Sequence, residues 1–190
     1  MSTTVRRLVV GISGASGSVY GIRALQCLRR IGIETHLVMS RAAQVTLAHE
    51  TDLKVSDVEQ LADVVYRSED IGAAISSGSF KTMGMLVAPC SIRSLSEIAS
   101  GVTSSLLPRA ADVALKERRR VVLMVREAPL HAGHLRSMLA VTEMGAIVAP
   151  PVPAFYARPN SLDEMVDHTI GRALDLFDLD AGNFKRWRDG

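Results

Sequence analysis

Near its start the chain reads Leu8-Val9-Val10-Gly11-Ile12-Ser13-Gly14-Ala15-Ser16-Gly17, a short apolar run that passes directly into glycines and serines. The apolar run is typical of a buried strand, and the glycines and serines after it are typical of a tight turn. A helical pattern follows, because apolar residues recur at near-helical spacing from Val19 to Ile31, before Gly32. A strand, a turn and a helix in this order predict the first unit of a parallel sheet with helices packed on it.

The same alternation continues along the chain. Short apolar runs predict further strands at 33–39, 83–88, 121–125 and 146–148, and helical patterns fall at 41–49, 55–65, 92–99, 107–117 and 131–144. Strands separated by helices predict an α/β protein, a doubly wound, mainly parallel sheet in three layers of flavodoxin-like or Rossmann-like type. No internal repeat or long linker divides the 190 residues. We therefore expect a single domain over 1–190, with a core over about 1–178 and a tail over 179–190 that docks on a neighbouring subunit.

Composition and charge exclude several classes of protein. Lys and Arg number 22 against 20 Asp and Glu, a net charge of +2, whereas a nucleic-acid-binding domain shows a strongly basic surface. No segment approaches the roughly 20 apolar residues that cross a bilayer, and the N-terminal stretch does not have the pattern of a signal peptide. Cys27 and Cys90 are too few for a disulfide framework. We expect a cytoplasmic protein with no nucleic-acid or membrane partner.

The turn after the first predicted strand suits a phosphate. It lies at the carboxyl edge of the predicted sheet, where such proteins bind ligands, and its N–H groups, Ser13 and Ser16 are hydrogen-bond donors. A dinucleotide site would space its glycines G-x-G-x-x-G and end the second strand in an acid. Here the spacing is G-x-x-G-x-x-G and that strand ends Val38-Met39-Ser40. The turn favours a mononucleotide phosphate over NAD, and a tight turn without a ligand remains the alternative.

Charged residues form a second group of candidates. Arg126 and Glu127 directly follow a buried strand at the same predicted edge, where a charge must be paired, solvated or functional. Arg109 and Lys116 lie seven residues apart and so share a face of one predicted helix. The chain shows no carboxylate cluster of the kind that holds magnesium, and we expect no metal site.

Six segments together carry a family resemblance. They are GISGASG (11–17), APCS (88–91), RAADVALKERR (109–119), VREAP (125–129), PPVPAFY (150–156) and DHTIGR (167–172). In combination they resemble the UbiX/Pad family of flavin prenyltransferases, and the likeness runs from about Arg7 to Trp187. The loop around Phe80 is closest to the phenolic-acid decarboxylase branch of that family.

The resemblance implies a fold, an activity and partners. It implies a flavodoxin-like protein assembled as a homododecamer. Such an enzyme joins a dimethylallyl group from dimethylallyl monophosphate to reduced FMN, and the prenylated FMN then serves a UbiD-type decarboxylase. Older family names describe these proteins as aromatic acid decarboxylases, because the activity of the partner was assigned to both.

The resemblance also implies a role for each matching position. The flavin would be held by Gly14, Ala15, Ser16, Ser40, Ser91, Ile92, Arg93, Ser94 and Arg126. The phosphate of the allylic substrate would be bound by Lys116, Tyr156 and Arg172, with Arg109 reaching in from a neighbouring subunit. The implied catalytic residues are Glu127 as acid and base, Ser16 as a relay, Glu50 as a second acid and Lys116 as a phosphate clamp.

Two other functions remain open on the sequence. FMN-dependent cysteine decarboxylases use a Pro-Ala-Ser-Ala-Asn type of loop and a catalytic His, whereas this chain has Pro89-Cys90-Ser91-Ile92-Arg93 without the Asn, and His49 stands in a different setting. A non-catalytic FMN-binding subunit of an aromatic acid decarboxylase would need no second phosphate site, whereas Lys116, Tyr156 and Arg172 match one.

Overall fold

The structure, a computed structural model, describes residues 6–182, which are built around a six-stranded parallel sheet. Its strands are β1 (Arg7–Ile12), β2 (Glu34–Met39), β3 (Val64–Tyr66), β4 (Gly84–Cys90), β5 (Arg120–Val125) and β6 (Ile147–Val148). The helices are α1 (Ser18–Arg30), α2 (Arg41–Glu50), α3 (Val55–Glu59), α4 (Ile92–Ser100), α5 (Leu106–Lys116), α6 (Ala132–Glu143) and α7 (Leu162–Asp175). The predicted three-layer α/β class is confirmed.

The order of the strands locates the edge at which a ligand can bind. The sheet runs β3-β2-β1-β4-β5-β6, and all of its pairs are parallel. Without the three-residue β3 this is the flavodoxin order, and the chain changes direction between β1 and β4. At such a switch point the loops after neighbouring strands diverge, so a crevice opens at the carboxyl edge.

Each face of the sheet carries its own apolar core. Leu25 and Leu28 of α1 pack on one face together with Leu174 of α7. Leu95 of α4 and Leu107 of α5 pack on the other face. The strands between these layers are buried on both sides, which explains why their sequences are nearly continuous apolar runs rather than alternating ones.

The helix predicted over 55–65 is wrong in its second half. The helix stops at Glu59, and β3 begins five residues later at Val64. Val64 pairs with His36 of β2, and the carboxylate of Asp63 accepts the N–H of Thr35 at 2.7 Å. Since valine and tyrosine favour extended backbone, pairing along the edge of the sheet prevails over the helical spacing of the apolar residues.

The end of the described chain also differs in extent from the sequence prediction. Helix α7 (Leu162–Asp175) was not predicted from the sequence. The signal was present, because Ser161 accepts the N–H of Glu164 at 3.1 Å, a helix N-cap. Leu179 and Ala181 are buried within the same chain, so packing continues past 178. The part of the predicted docking tail at 183–190 lies outside the described residues.

Candidate active site

The turn between β1 and α1 is joined to the end of β4 through one buried hydroxyl. Ser13 is 1% exposed; its hydroxyl donates to the carbonyl of Pro89 at 3.0 Å and accepts the N–H of Ser91 at 2.7 Å. The sequence prediction gave this hydroxyl to a ligand, which is wrong because both contacts lie within the protein. Ser13 instead fixes the spacing between two loops that border the crevice.

Two glycines give the same turn its shape. A Cβ on Gly14 would lie 2.3 Å from the Cβ of Ala42, so only glycine lets the turn pack against the first residues of α2. Gly17 has φ +106°, a left-handed conformation that side chains rarely adopt. The G-x-x-G-x-x-G spacing thus reflects a close approach and a backbone reversal.

The first N–H groups of α1 donate hydrogen bonds to a carboxylate of the same chain. Glu50, the last residue of α2, accepts the N–H of Gly17 at 3.0 Å and that of Ser18 at 2.9 Å. Burial opposes the ionisation of Glu50, but hydrogen bonds from the Ser16 hydroxyl and from the Ser18 and Gly17 N–H groups outweigh it and hold the pKa below its ordinary value. These two N–H groups, predicted to suit a phosphate, therefore serve Glu50, which is ionised at neutral pH.

A cleft at the carboxyl edge, called the first cleft below, has a volume of about 640 Å³. The elements around it are the β1–α1 turn, the starts of α2, α4 and α5, and the segment after β3. It brings together five residues predicted to hold the flavin, namely Gly14, Ser40, Ser91, Arg93 and Ser94. Of the other predicted flavin residues, Ala15, Ser16 and Ile92 are chain neighbours of this lining, and Arg126 follows β5.

Two of the three helices that begin at the first cleft, α2 and α4, are capped by a serine side chain. The Ser40 hydroxyl accepts the N–H of Ala43 at 3.1 Å at the start of α2, and the Ser91 hydroxyl accepts the N–H of Ser94 at 3.2 Å at the start of α4. The N-terminal end of a helix carries a partial positive charge. The two helix ends therefore favour an anionic group in this cleft.

The second cleft, about 220 Å³, is formed by the end of β5, the loop after β6, and α7. Tyr156 and Arg172, both predicted to bind the substrate phosphate, line it. The ring of His168 packs edge-on against that of Tyr156 with 5.5 Å between centroids, and Arg172 is also ion-paired with Asp175. The structure thus brings a phenol and a guanidinium to one small cleft.

Arg126 and Glu127 lie between the two clefts. Both are exposed and directly follow β5, which stands between β4, whose end borders the first cleft, and β6, whose end borders the second. The carboxylate of Glu127 accepts the N–H of Ala128 at 3.0 Å. Arg126 acts on Tyr20 of α1: burial raises the pKa of Tyr20, and the positive charge of Arg126 partly offsets that rise.

Within one chain the structure does not bring Lys116 to Tyr156 and Arg172. Lys116 is the last residue of α5, which leads into the start of β5, so it lies at the amino edge of the sheet. A strand of six residues spans about 20 Å, and the second cleft is at its other end. The amine of Lys116 contacts Glu117 at 3.0 Å and lowers the pKa of that carboxyl group. Arg109, in the first turn of α5, pairs with Asp112 at 2.9 Å.

One polar pair in the first cleft was not predicted from the sequence. Arg41, the first residue of α2, and Glu69, in the segment after β3, both line the cleft and form an ion pair with 2.7 Å between Nε and Oε1. Arg41 could have been suspected because it follows Ser40. Glu69 carries no sequence signal, since only the pairing of β3 with β2 brings its segment to the cleft.

Cys90 has no role as a nucleophile. It is completely buried, and burial raises the pKa of its thiol to about 12, so no thiolate forms at neutral pH. It fills space at the end of β4, as the sequence indicated.

Comparison with known proteins first gives the class of the protein. A family model described as Flavoprotein matches residues 1–174. The parallel sheet, and the cleft with two helix N-termini at its carboxyl edge, agree with a flavin-binding fold.

Closer comparisons define the family within that class. The flavin prenyltransferase UbiX of Escherichia coli strain K12 is 57% identical over 187 residues, which cover 97% of this chain and 99% of the relative. The crystal structure of AnUbiX (PadA1) in complex with FMN and dimethylallyl pyrophosphate superposes with a TM-score of 0.96 at 51% identity, over 98% of this chain and 100% of that one. A dodecameric FMN-dependent UbiX-like decarboxylase from Escherichia coli O157:H7 gives 0.94 at 46% identity, over 96% and 99%. The chain belongs to the UbiX family of flavin prenyltransferases.

Proposed function

We propose that this protein joins the dimethylallyl group of dimethylallyl monophosphate to reduced FMN and so makes prenylated FMN. The observation that carries the proposal is the pair of clefts at one edge of the sheet, with Glu127 between them. One cleft has the size and the helix ends for a nucleotide, and the other has the phenol and guanidinium for a second phosphate. A solved relative binds FMN and a dimethylallyl phosphate ester together.

The first cleft fits FMN in volume and in chemistry. About 640 Å³ lies within the range of about 300–1,000 Å³ that small-molecule sites occupy. Serine hydroxyls and two helix N-termini suit the phosphate and the ribityl chain, while Ile71, Leu107 and Pro108 supply apolar wall for a ring. When bound, reduced FMN supplies the nucleophilic ring that receives the prenyl group.

The second cleft provides the groups that a departing phosphate needs. Breaking the carbon–oxygen bond of an allylic ester leaves an anionic phosphate and an allylic cation. Arg172 neutralises charge on the phosphate oxygens and the hydroxyl of Tyr156 donates a hydrogen bond to them. Met124 and Ala149, apolar residues in the same lining, limit access of water to the cation.

Two carboxylates handle protons in this scheme. Glu127, exposed between the clefts, is positioned to take a proton from the acceptor side and to give one to the departing phosphate. Glu50 holds the hydroxyl of Ser16 by a hydrogen bond, which orients Ser16 at the mouth of the β1–α1 turn as a relay. Because its pKa is lowered, Glu50 acts from its carboxylate form.

Lys116 requires a neighbouring subunit to act at the second cleft. Its place at the amino edge separates it from Tyr156 and Arg172 of its own chain. Arg109 lies in the first turn of α5, on the side of the first cleft, and is not part of the lining of the second cleft, so we propose that it too reaches that cleft from a neighbouring subunit. We propose a homododecamer, the assembly of the solved relative from Escherichia coli O157:H7. Phe155, in the segment before α7, and Leu162, the first residue of α7, are 74% and 79% exposed and supply apolar surface for such contacts.

The product must be consumed elsewhere, because nothing in the scheme uses it further. We propose a UbiD-type decarboxylase as its recipient and the cytoplasm as the shared compartment. The alternative of a non-catalytic FMN subunit does not account for the second cleft. The chain does not match a cysteine decarboxylase either, because the loop after β4 has no Asn and no His stands in the matching setting.

The decisive experiment is anaerobic incubation of the purified protein with reduced FMN and either dimethylallyl monophosphate or dimethylallyl pyrophosphate, followed by mass spectrometry of the released flavin. We expect a gain of one prenyl unit with the monophosphate that is absent without protein. A flavin of unchanged mass, with FMN demonstrably bound, would favour the carrier role instead.

A further inference from the structure

The ion pair between Arg41 and Glu69 joins two walls of the first cleft. Arg41 belongs to the first turn of α2, next to Ser40, and Glu69 belongs to the segment that follows β3. Their side chains are 83% and 57% exposed, so the pair sits at the solvent-accessible part of the cleft, where a ligand enters.

The backbone around Glu69 is fixed on both sides. The carbonyl of Ser68 accepts the N–H of Leu106 at the start of α5 at 2.8 Å, and the carbonyl of Glu69 accepts the N–H of Ile71 at 2.9 Å. The strand before it is held by pairing of Tyr66 with Val38. Glu69 therefore presents its carboxylate to Arg41 from an anchored segment.

The charges that line the first cleft cancel. Among the described residues of its lining, the cations are Arg41 and Arg93 and the anions are Glu69 and Glu97. Arg93 and Glu97 pair at 3.0 Å within α4, four residues apart on one helix, with Arg93 exposed and Glu97 largely buried. Arg41 differs, because its partner reaches it from another wall, and the pair lies beside the N-terminal end of α2, which favours an anion.

We infer that Glu69 is an internal competitor for the flavin phosphate: it holds Arg41 when the first cleft is free of ligand, and it yields Arg41 to the phosphate when FMN binds. This inference rests on the proposed function. Hydrogen bonding to Arg41 keeps the pKa of Glu69 below its ordinary value, so the competing group is a carboxylate at neutral pH.

The competition has a use in a protein that must release its product. A cleft with uncompensated cations would bind a phosphate dianion tightly and retain it. Because Glu69 pairs again with Arg41 as the phosphate leaves, less free energy is lost when the contact between Arg41 and the phosphate breaks. Glu69 therefore lowers the affinity for FMN and raises the rate at which the prenylated flavin dissociates.

The test compares FMN with riboflavin, which has the same ring and no phosphate. Dissociation is followed by stopped-flow fluorescence in the wild-type protein, in Glu69→Gln, in Arg41→Gln and in the double variant. Since exposed pairs are weak, we expect Glu69→Gln to slow release of FMN about two- to fivefold and to leave release of riboflavin unchanged. The difference should shrink at high salt, which screens exposed charges.

The matched control is Glu97→Gln, which removes the other carboxylate of the same cleft without freeing Arg41. The inference requires a smaller effect from Glu97→Gln than from Glu69→Gln, and no effect of Glu69→Gln once Arg41 is Gln. It fails if Glu69→Gln speeds or does not change FMN release, acts equally on riboflavin, or acts equally without Arg41. If the wild-type protein binds neither FMN nor riboflavin, both the inference about Glu69 and the proposed function fail. If the protein binds flavin and only the Glu69 comparison fails, the proposed function stands.

Discussion

Glu50 links the last turn of α2 to the first turn of α1, and it has both a structural role and a role in the chemistry of the site. It satisfies two N–H groups of a helix whose N-cap, Gly17, has no side chain to do so. It also orients Ser16, at the turn where the flavin is expected. A residue that the family resemblance implied as catalytic is therefore a helix cap as well.

The cap makes stability depend on pH in a predictable direction. A group whose folded-state pKa is depressed stabilises the fold above its unfolded pKa, about 4.3 for glutamate, and loses that contribution as pH falls through the folded-state value. We expect Glu50→Gln to cost about 0.5–1 kcal/mol at neutral pH, a modest figure because the carboxylate is exposed. Urea unfolding of both proteins between about pH 3 and 7 should show the gap closing in acid. A gap that is constant with pH would contradict this account.

Glu127 is the residue whose replacement should separate binding from chemistry. It lies between the clefts and outside the linings of both, so Glu127→Gln should leave the affinity for FMN unchanged. Loss of a positioned acid and base should slow prenyl transfer about 100-fold or more. Single-turnover assays with reduced FMN measure the second quantity and flavin titration the first. Glu143→Gln, an exposed carboxylate on α6, is the control; unchanged turnover in Glu127→Gln would exclude the assigned role.

At the scale of elements, the β1–α1 turn and the start of α2 approach each other closely at Gly14 and Ala42. The absent Cβ of Gly14 faces Ala42. Gly14→Ala should push the turn away from α2, destabilise the fold by about 1–3 kcal/mol and weaken FMN binding.

The contact can be tested by relieving it from the other side. Ala42→Gly removes the atom nearest to the new Cβ, so the double variant Gly14→Ala, Ala42→Gly should regain part of the lost affinity. Part of the stability stays lost, since glycine in a helix costs about 1 kcal/mol. Flavin titration and thermal unfolding of the three variants check this. A double variant no better than Gly14→Ala would show that the turn fails for another reason.

The sequence predicted those strands and helices whose signal lies in their own residues. Buried parallel strands are continuous apolar runs, so β1, β2, β4 and β5 could be placed within one or two residues. β3 could not, because its three residues become a strand only by pairing with β2. The same limit applies to the site: Ser40 and Ser91 could be placed from their position after strands, whereas Glu69 reaches the first cleft through tertiary contacts that leave no local pattern.

At the scale of the whole molecule, one chain does not bring together the predicted phosphate-binding groups among its described residues. Tyr156 and Arg172 share the second cleft, and Lys116 lies at the opposite edge of the sheet. The sequence could give the identity of these residues by resemblance, but not which chain supplies each of them. No helix among residues 6–182 has the length and hydropathy to span a bilayer.

Mixed oligomers test whether Lys116 acts in a neighbouring subunit. Lys116→Ala and Arg172→Ala should each be inactive alone. Co-expressed and randomly assembled, they should regain about a quarter of the wild-type activity, because that share of sites receives Lys116 from one chain and Arg172 from another. Prenyl transfer by the mixture is compared with that of the separately purified variants. Activity that stays absent in proven mixed oligomers would place both residues in one chain's site.

Both cysteines of the chain are buried, Cys27 within α1 and Cys90 at the end of β4. The folded surface therefore offers no thiol of its own to a maleimide dye, over the part of the chain that contains the two. A cysteine introduced at an exposed position near the first cleft, such as Asp70→Cys, would carry a fluorophore at one defined point. The protein can thus be turned into an optical reporter of flavin binding and release without first replacing either native cysteine.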